Sequence, residues 1–484
     1  MMWNKYPVIL ELNTVAWLNR LTEQYGYKIN LSNIPEQEID KLKQLKLDGI
    51  WLMGIWKRSR ISAHIARNIS ILNQWGQEHL ADFNPDCDLT GSPYAIGDYE
   101  VAPELGGKQG LLNFKARSEP LKIILDFVPN HTALDHPWIY KYPDIYVHLD
   151  QGAVESNQAV DVNSYCIAMG KDPNFSPWTD TAQLDYSKEK TRSILIEQLK
   201  EIAFLCDGLR CDMAMLVINS VFSKTWQKTV ECDYEFWVEA IKQIKLNHPD
   251  FLFIAEVYWG MEWDLQLQGF DYTYDKTLYD RLKNHDHQGV FGHLHADRQY
   301  YQHLVRFIEN HDEQRAASIW FNQELFAAAV ITLTLPGLRL VHQGQLEGYQ
   351  LKIPVQFSRW PHQSINQQVN QFYIKLLDLL NRDVFHYGNW KLLTVHGLDE
   401  DYGGVYAYLW KHQQEFYLII INYTDEEKRG YLSTDVILSK PNYLKFREIF
   451  TDQEYCREIN DNQETKWFFD LEPFEFSICE LQFD

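Results

Sequence analysis

Three acidic residues stand at the ends of short runs that are rich in apolar residues. They are Asp212, Glu256 and Asp312. A strand that ends in a carboxylate is typical of the catalytic rim of a barrel enzyme, where side chains from several strand ends converge. The sequence therefore predicts that these three carboxylates share one site.

The pairing of these acids with one arginine indicates a particular chemistry. Arg210 lies two residues before Asp212, on the same side of a strand, where its guanidinium is expected to keep Asp212 ionised and oriented. An ionised carboxylate and a second carboxyl in a less polar setting are what cleavage of a glycosidic bond needs, one as nucleophile and one as proton donor. Carboxyl groups about 5 to 5.5 Å apart would give retention through a covalent intermediate, and a larger gap would give inversion.

Eight apolar or β-branched runs are predicted strands, and helical patterns lie between several of them. The predicted strands are Val8–Leu12, Gly49–Trp56, Ile123–Val128, Gly208–Asp212, Phe251–Val257, Phe270–Tyr274, Val305–Ile308 and Leu338–Val341. Strand and helix in alternation, repeated in this way, predict an α/β fold, a parallel (β/α)8 TIM barrel.

Two segments depart from this alternation. Residues 132–182 contain four prolines and no long periodic helix, which predicts an inserted loop domain after the third strand, on the face of the barrel that carries the site. After about Asp383 the pattern alternates with period two, which predicts a C-terminal antiparallel β-sandwich domain over residues 384–484. The catalytic barrel would then consist of residues 1–131 and 183–383.

Charge and aromatic content limit the partners that we expect. The chain has 484 residues, with 67 acidic and 45 basic ones, and a formal charge of -22. This balance argues against nucleic acid and anionic membranes, which call for basic patches. Aromatic residues make up 14% of the chain, and their flat faces with polar edges suit sugar rings as well as a large core.

Cysteine use and the N-terminus point to the cytoplasm. The seven cysteines are scattered without the paired spacing of a metal site, which favours a reducing compartment over a disulfide framework. The first residues pass directly into a predicted strand without the pattern of a secretion signal. No run approaches the roughly 18 apolar residues of a membrane span.

Four motifs in order along the chain resemble the α-amylase family, glycoside hydrolase family thirteen. They are Asp126-Phe-Val-Pro-Asn-His131, Gly208-Leu-Arg-Cys-Asp212, Glu256-Val-Tyr-Trp259 and Phe307-Ile-Glu-Asn-His-Asp312. Supporting matches are Gly91-Ser-Pro-Tyr-Ala-Ile-Gly-Asp98-Tyr99 and Pro336-Gly-Leu-Arg-Leu-Val-His-Gln-Gly-Gln345. The resemblance covers roughly Val8 to Gln345, and the ending around Leu471-Glu-Pro-Phe-Glu-Phe476 looks like the closing β-domain of that family.

The resemblance implies a role for each matching residue. Asp212 would be the nucleophile, Glu256 the general acid and base, and Asp312 the carboxylate that grips sugar hydroxyls and stabilises the distorted transition state. The residues implied to bind substrate are Tyr94, Asp126, His131, Arg210, His311 and Trp259.

The chain also departs from the family at two places. Many α-amylases carry a Lys-His pair after the nucleophile, where this chain has Met215 and Leu216. Asn130 matches a family calcium ligand, but the expected aspartate is replaced by Gln183. Calcium prefers several carboxylate and carbonyl oxygens, so we expect no metal and no cofactor, and calcium binding is the alternative that the sequence leaves open.

These observations predict a retaining hydrolase of the α-amylase type. Its substrate would be an α-glucan, an oligosaccharide or a small α-glucoside. The apolar residues after Asp212 leave open a transglucosylase, or a hydrolase of a small glucoside with a short acceptor. A non-catalytic carbohydrate-binding barrel is a more remote alternative, which the loss of any of the three carboxylates would favour. Substrate length, linkage, endo or exo action and oligomeric state are left open by the sequence.

Overall fold

Eight parallel strands close into a barrel in which each strand lies beside its neighbours in the chain, as predicted. The computed structural model describes residues 2–162, 165–398, 403–433, 443–458 and 466–483. The barrel strands, numbered β1 to β8 in chain order, are Val8–Asn13, Gly49–Met53, Lys122–Phe127, Gly208–Cys211, Leu252–Ala255, Tyr272–Tyr274, Leu304–Arg306 and Leu338–His342. Strand β8 pairs with β1 and closes the barrel.

The strands form where the sequence is apolar on both faces, because the barrel interior and the surrounding helices bury both sides of a parallel sheet. Every residue of β1, β2 and β4 is buried. The predicted run Gly49–Trp56 divides in two at Gly54, whose φ of 73° suits glycine and turns the chain out of the sheet. Its second part, Trp56–Arg58, pairs with Ile96–Val101 outside the barrel.

Helices pack around the barrel. The first begins after Asn13, whose side-chain oxygen accepts a hydrogen bond from Ala16 N at 3.1 Å and caps the helix. Helices of eight residues or more are Thr14–Tyr25, Glu36–Gln44, Arg60–Arg67, Ser70–His79, Gly107–Ser118, Glu189–Ala203, Asn219–Trp226, Phe236–Asn247, Lys276–Lys283, His287–Leu294, Gln323–Leu333 and Gln367–Leu380. Shorter α-helices are Pro85–Asp88, Pro137–Lys141, Gln151–Glu155, Glu262–Leu267, Arg298–Tyr301, Ala316–Ile319 and Asp383–Tyr387, and 3-10 helices are Pro103–Leu105, Pro143–Ile145 and Ala214–Val217.

The segment between β3 and β4 contains two small antiparallel pairs. His131–Ala133 pairs with Thr181–Gln183 and joins the two ends of the segment. Ala159–Val162 pairs with Tyr165–Ala168. The division of the chain at residues 131, 182 and 383 remains a prediction.

The C-terminal region is an antiparallel β structure, as predicted, with two sheets that enclose an apolar core. The larger sheet has the order Asn389–Leu392, Val405–His412, Glu415–Asn422, Phe476–Phe483, Tyr443–Glu448 and Glu454–Glu458. The smaller sheet has the order Val395–Gly397, Lys428–Ser433 and Lys466–Leu471.

The outer face of the larger C-terminal sheet packs on the barrel. Trp410 Nε1 donates to the Thr334 carbonyl oxygen at 2.7 Å, and the Tyr408 hydroxyl lies 2.6 Å from Thr334 Oγ1. Trp410 also contacts the rings of Tyr6 and Phe385, so this sheet face and the barrel share one continuous apolar core. None of the helices in the described residues has the length and apolar character needed to cross a membrane.

Candidate active site

The predicted site residues converge at the C-terminal end of the barrel. Asp212 follows β4 directly and Glu256 follows β5 directly, and these two strands pair in parallel. Asp126 lies within β3, opposite Arg210 of β4. Asp312 differs from the prediction, because β7 ends at Arg306 and the carboxylate lies on the loop six residues further on.

One buried guanidinium joins the three carboxylates. Arg210 Nη1 donates to Asp212 Oδ1 at 2.6 Å, while Nη2 lies 2.9 Å from Glu256 Oε2 and 4.0 Å from Asp312 Oδ2. The Arg210 side chain is 1% exposed, so it holds its partners without competition from water. The three acids predicted from the sequence therefore do form one cluster.

Glu256 has hydrogen-bond donors at both of its carboxyl oxygens. Met213 N–H donates to Oε2 at 2.6 Å, and the Tyr258 hydroxyl donates to Oε1 at 2.9 Å. Burial raises the pKa of Glu256 to about 7, although Arg210 acts in the opposite direction. A carboxyl group with this pKa can give and take a proton near neutral pH.

Asp212 and Asp126 are also shifted by burial. Burial raises the pKa of Asp212 above its ordinary value, and the attraction of Arg210 does not outweigh it. This corrects the expectation that Arg210 would leave Asp212 with a low pKa. Asp126 accepts hydrogen bonds from Trp51 Nε1 at 3.0 Å and Gly54 N at 2.8 Å, and burial raises its pKa to about 6. It lies within the barrel beneath the cluster.

His311 lies between two carboxylates. Its Nδ1 is 2.5 Å from Glu11 Oε1, and its Nε2 is 3.0 Å from Asp312 Oδ2 and 2.7 Å from the Tyr94 hydroxyl. Burial lowers the pKa of His311, but Asp312 and Glu11 outweigh this effect and raise it to about 10. Conversely, burial raises the pKa of Asp312, but the attraction of the His311 cation is stronger. The pKa of Asp312 therefore lies well below its usual range.

Aromatic and histidine rings form the wall of a cavity of about 530 Å³ at this cluster. Tyr94 stacks on His311 with ring centroids 5.3 Å apart, and its centroid is 5.0 Å from the Arg210 guanidinium carbon. His131 lies beside Trp178 at 5.1 Å, and burial lowers the pKa of His131 to about 4, so it is neutral at pH 7. Trp259 is not among the cavity-lining residues and is 43% exposed, so the structure does not bring it together with the others.

Several residues of the site were not predicted. Glu11 could have been recognised from the sequence, because it is a charged residue in the middle of an apolar strand. Trp178 and Asp180 belong to the inserted segment, and Asp180 Oδ2 accepts a hydrogen bond from Ser62 Oγ at 2.6 Å. Tyr258 lies beside the predicted Trp259, and only the fold shows which of the two faces the cavity.

Met215 and Leu216 lie in the buried 3-10 helix Ala214–Val217 and are not in the cavity wall. The apolar part of that wall includes Ile65, Ile69 and Met213. Met215 and Leu216 therefore act as core, whereas Met213, directly after Asp212, contributes to the wall of the cavity.

The residues at the family's calcium position do not fit a cation. Gln183 Nε2 donates to Asn130 O at 2.9 Å, Asn130 Oδ1 at 3.0 Å and Leu184 O at 3.1 Å. A side-chain NH2 group thus points at the oxygens that a cation would require, and Gln183 is fully buried. Among the described residues, no three His, Cys, Asp or Glu side chains are grouped so that they hold a metal ion.

Comparison with known proteins gives α-amylases among the curated relatives. The chain is 28% identical over 264 residues to the α-amylase MalA of Haloarcula japonica, covering 52% of this chain and 36% of the relative. It is 22% identical over 391 residues to α-amylase 3 of Dictyoglomus thermophilum, covering 74% of this chain and 67% of the relative. No family model matches the chain.

The fold agrees with that of solved structures. A noncanonic maltogenic α-amylase, AmyB from Thermotoga neapolitana, superposes with a TM-score of 0.71 at 21% sequence identity, over 99% of each chain. The barrel and its cluster of carboxylates at the C-terminal rim have the arrangement that is typical of a barrel enzyme. With the four motifs and the curated relatives, the chain is similar to the α-amylase family, glycoside hydrolase family thirteen.

Proposed function

We propose that this protein is a retaining hydrolase of α-glucosidic bonds, with an α-glucan, an oligosaccharide or a small α-glucoside as substrate. The observation that carries the proposal is the contact of the Arg210 guanidinium with both Asp212 and Glu256. Two carboxyl groups bound to the same guanidinium must lie near each other, which favours the short separation of a retaining enzyme.

The first chemical step forms a covalent intermediate. Asp212 attacks the anomeric carbon as the glycosidic bond breaks, and Glu256 gives its proton to the leaving oxygen. The pKa of about 7 leaves a large share of Glu256 protonated near neutral pH, so the acid is ready for this step. The leaving sugar or alcohol departs with that proton.

The second step returns the enzyme to its starting state. Glu256, now a carboxylate, takes a proton from water while the water oxygen attacks the anomeric carbon. The bond to Asp212 breaks and its electron pair returns to the carboxylate. The carboxylates of Glu11, Asp126 and Asp312 surround this centre and favour the positive charge that develops on the sugar ring.

Two substitutions test the assignment. Asp212→Asn and Glu256→Gln are each expected to lower turnover of maltooligosaccharides by about 10²-fold or more. Glu262→Gln changes a buried carboxyl outside the cavity and serves as the control. Wild-type turnover in either site variant would overturn the proposal, and NMR of the first product would show inversion if the retaining mechanism is wrong.

A second candidate function is transglucosylation. The wall of the cavity carries Ile65, Ile69 and Met213, apolar groups that suit an acceptor better than they suit water. Product analysis with and without added acceptor sugars separates the two, since only a transferase forms new glycosides in quantity.

The remaining expectations concern cofactors and location. We propose that the protein needs no metal, which the Gln183 contacts support. A cytoplasmic location is supported by the seven free cysteines. Activity in the presence of a chelator tests the first of these.

A further inference from the structure

The two carboxyl oxygens of Glu256 have different neighbours. Oε2 accepts a hydrogen bond from Met213 N at 2.6 Å, and Arg210 Nη2 lies 2.9 Å from it as an ion-pair partner without hydrogen-bond geometry. Oε1 faces the Tyr258 hydroxyl at 2.9 Å. An amide or guanidinium N–H can donate but cannot accept, whereas a hydroxyl group can do either.

This difference decides where a proton can sit on Glu256. A proton on Oε2 would point at N–H groups that cannot accept it. A proton on Oε1 has the Tyr258 oxygen beside it as an acceptor, and Tyr258 also lines the cavity in which the leaving group would lie. Oε1 is therefore the oxygen that carries the proton.

The donor at Oε2, the Met213 N–H, is fixed by the backbone. Met213 has a φ of 42°, in the left-handed region that residues with a side chain rarely adopt. The Ala214 N–H also donates to the Glu256 carbonyl oxygen at 3.0 Å, so the turn after Asp212 is bound to Glu256 twice. These two hydrogen bonds hold the strained turn in place, which keeps the Met213 N–H on Oε2 and leaves Oε1 for proton exchange.

We propose that Tyr258 is a positioning residue for the acid, holding the transferable proton on Oε1 of Glu256. When Glu256 is protonated, the Tyr258 O–H bond rotates away and the hydroxyl oxygen accepts a hydrogen bond from Oε1. Once the proton has passed to the leaving oxygen, the Tyr258 hydroxyl donates a hydrogen bond to the Glu256 carboxylate. Tyr258 keeps its own proton throughout. The proposal rests on the proposed function and adds a residue to it.

Removing the hydroxyl group should therefore weaken the acid. In Tyr258→Phe the carboxylate form of Glu256 loses a charge-assisted hydrogen bond and the acid form loses only a weaker neutral one, while the charged groups that face Glu256, namely Arg210, Asp212 and Asp312, are unchanged. A hydrogen bond to a charged group corresponds to about one pKa unit, so the pKa of Glu256 should rise by about one unit.

Enzyme kinetics give the first measurement. The basic limb of the pH profile of kcat/KM should move up by about one unit in Tyr258→Phe. Hydrolysis of glucosides with poor leaving groups should slow by up to about tenfold, while substrates with good leaving groups, such as glucosyl fluoride, should react as before. A merely structural role would slow all substrates alike.

Direct titration gives the second measurement, and it does not depend on turnover. The carboxyl carbon of Glu256 can be followed by NMR in protein with 13C-labelled glutamate, with Glu256→Gln for assignment. Tyr186→Phe is the matched control, because it removes a tyrosine hydroxyl that donates to Pro129 O at 2.8 Å, outside the acid.

The outcomes separate the two proposals. A raised Glu256 pKa with the kinetic shift supports the inference. An active enzyme whose Glu256 pKa and basic limb are the same in Tyr258→Phe overturns it. A wild-type protein that hydrolyses none of the glucosides refutes the proposed function, whatever the titration gives.

Discussion

Replacing Gln183 by glutamate is expected to make the stability of the protein depend on calcium. In the native structure the Gln183 amide supplies N–H donors to three buried oxygens, Asn130 O, Asn130 Oδ1 and Leu184 O. Gln183→Glu removes both hydrogens and adds a carboxylate to these oxygens. The result is an oxygen-rich group of the kind that binds calcium.

The size of the effect follows from the hydrogen bonds that are lost. Asn130 O keeps the Leu184 N–H as a donor, but Asn130 Oδ1 and Leu184 O lose their partner at about 1–3 kcal/mol each, or about 2–6 kcal/mol in total. For a chain of this length the unfolding entropy corresponds to about 1 kcal/mol per degree, so the melting temperature should fall by about 2–6 °C in a chelator. Calcium at about 100 times its Kd would restore about 2.7 kcal/mol.

The assay is thermal unfolding at one scan rate, with EDTA and with millimolar calcium chloride. The wild-type protein should melt at the same temperature in both, and Gln183→Glu should melt lower in EDTA and recover in calcium. Gln345→Glu is the control, because Gln345 is buried but its Nε2 has Tyr373 Oη as partner at 2.9 Å instead of several oxygens. It should be destabilised without a response to calcium.

Two results would refute this reasoning. One is a wild-type melting temperature that falls in EDTA and recovers with calcium, since the amide would then not replace a cation. The other is a Gln183→Glu variant that is as stable as the wild type in EDTA, since the hydrogen bonds would then contribute nothing.

Two further predictions concern pH. Activity should fall about tenfold per pH unit above about 7, because Glu256 must hold a proton in the first step; a kcat/KM that stays level to pH 9 would contradict this. In Glu11→Gln, His311 loses one of its two carboxylates, which should cost about 3–5 kcal/mol, or about 3–5 °C in melting temperature. Because the pKa of His311 is raised to about 10, the stability that its charged form contributes is complete below about pH 6.5 and is lost as the pH rises through about 10. The difference in melting temperature between the wild type and Glu11→Gln should therefore shrink across that interval. A difference that stays constant would argue against a charged His311.

The barrel could be predicted because its strands are buried on both faces. Such strands read as nearly continuous apolar runs, and all eight were found in their correct order. The exceptions are local. The second predicted strand included Gly54, where a left-handed φ ends the observed strand. Asp312 was predicted at the end of a strand, but it lies on a loop.

The candidate site was predictable only where a residue belongs to a recognisable motif. Glu11 and His311 are 300 positions apart and meet only when β1 closes the barrel beside β8. Trp259 was preferred to Tyr258 as a cavity residue, but Trp259 has a left-handed φ of 65°, which the sequence does not reveal. The pKa of Asp212 depends on how deeply it is buried, which the nearby Arg210 does not indicate.

The shared core of the barrel and the C-terminal sheet sets a limit on protein engineering. Trp410, Tyr408 and Phe385 lie in one continuous apolar cluster with the barrel, and Trp410 is tied to Thr334 by a hydrogen bond. Cutting the chain near residue 383 would leave this surface of the barrel facing water, where it would promote aggregation. Chimeras that exchange the C-terminal domain would therefore have to carry over the matching surface of the barrel, and an activity measured on a truncated barrel would not represent the enzyme.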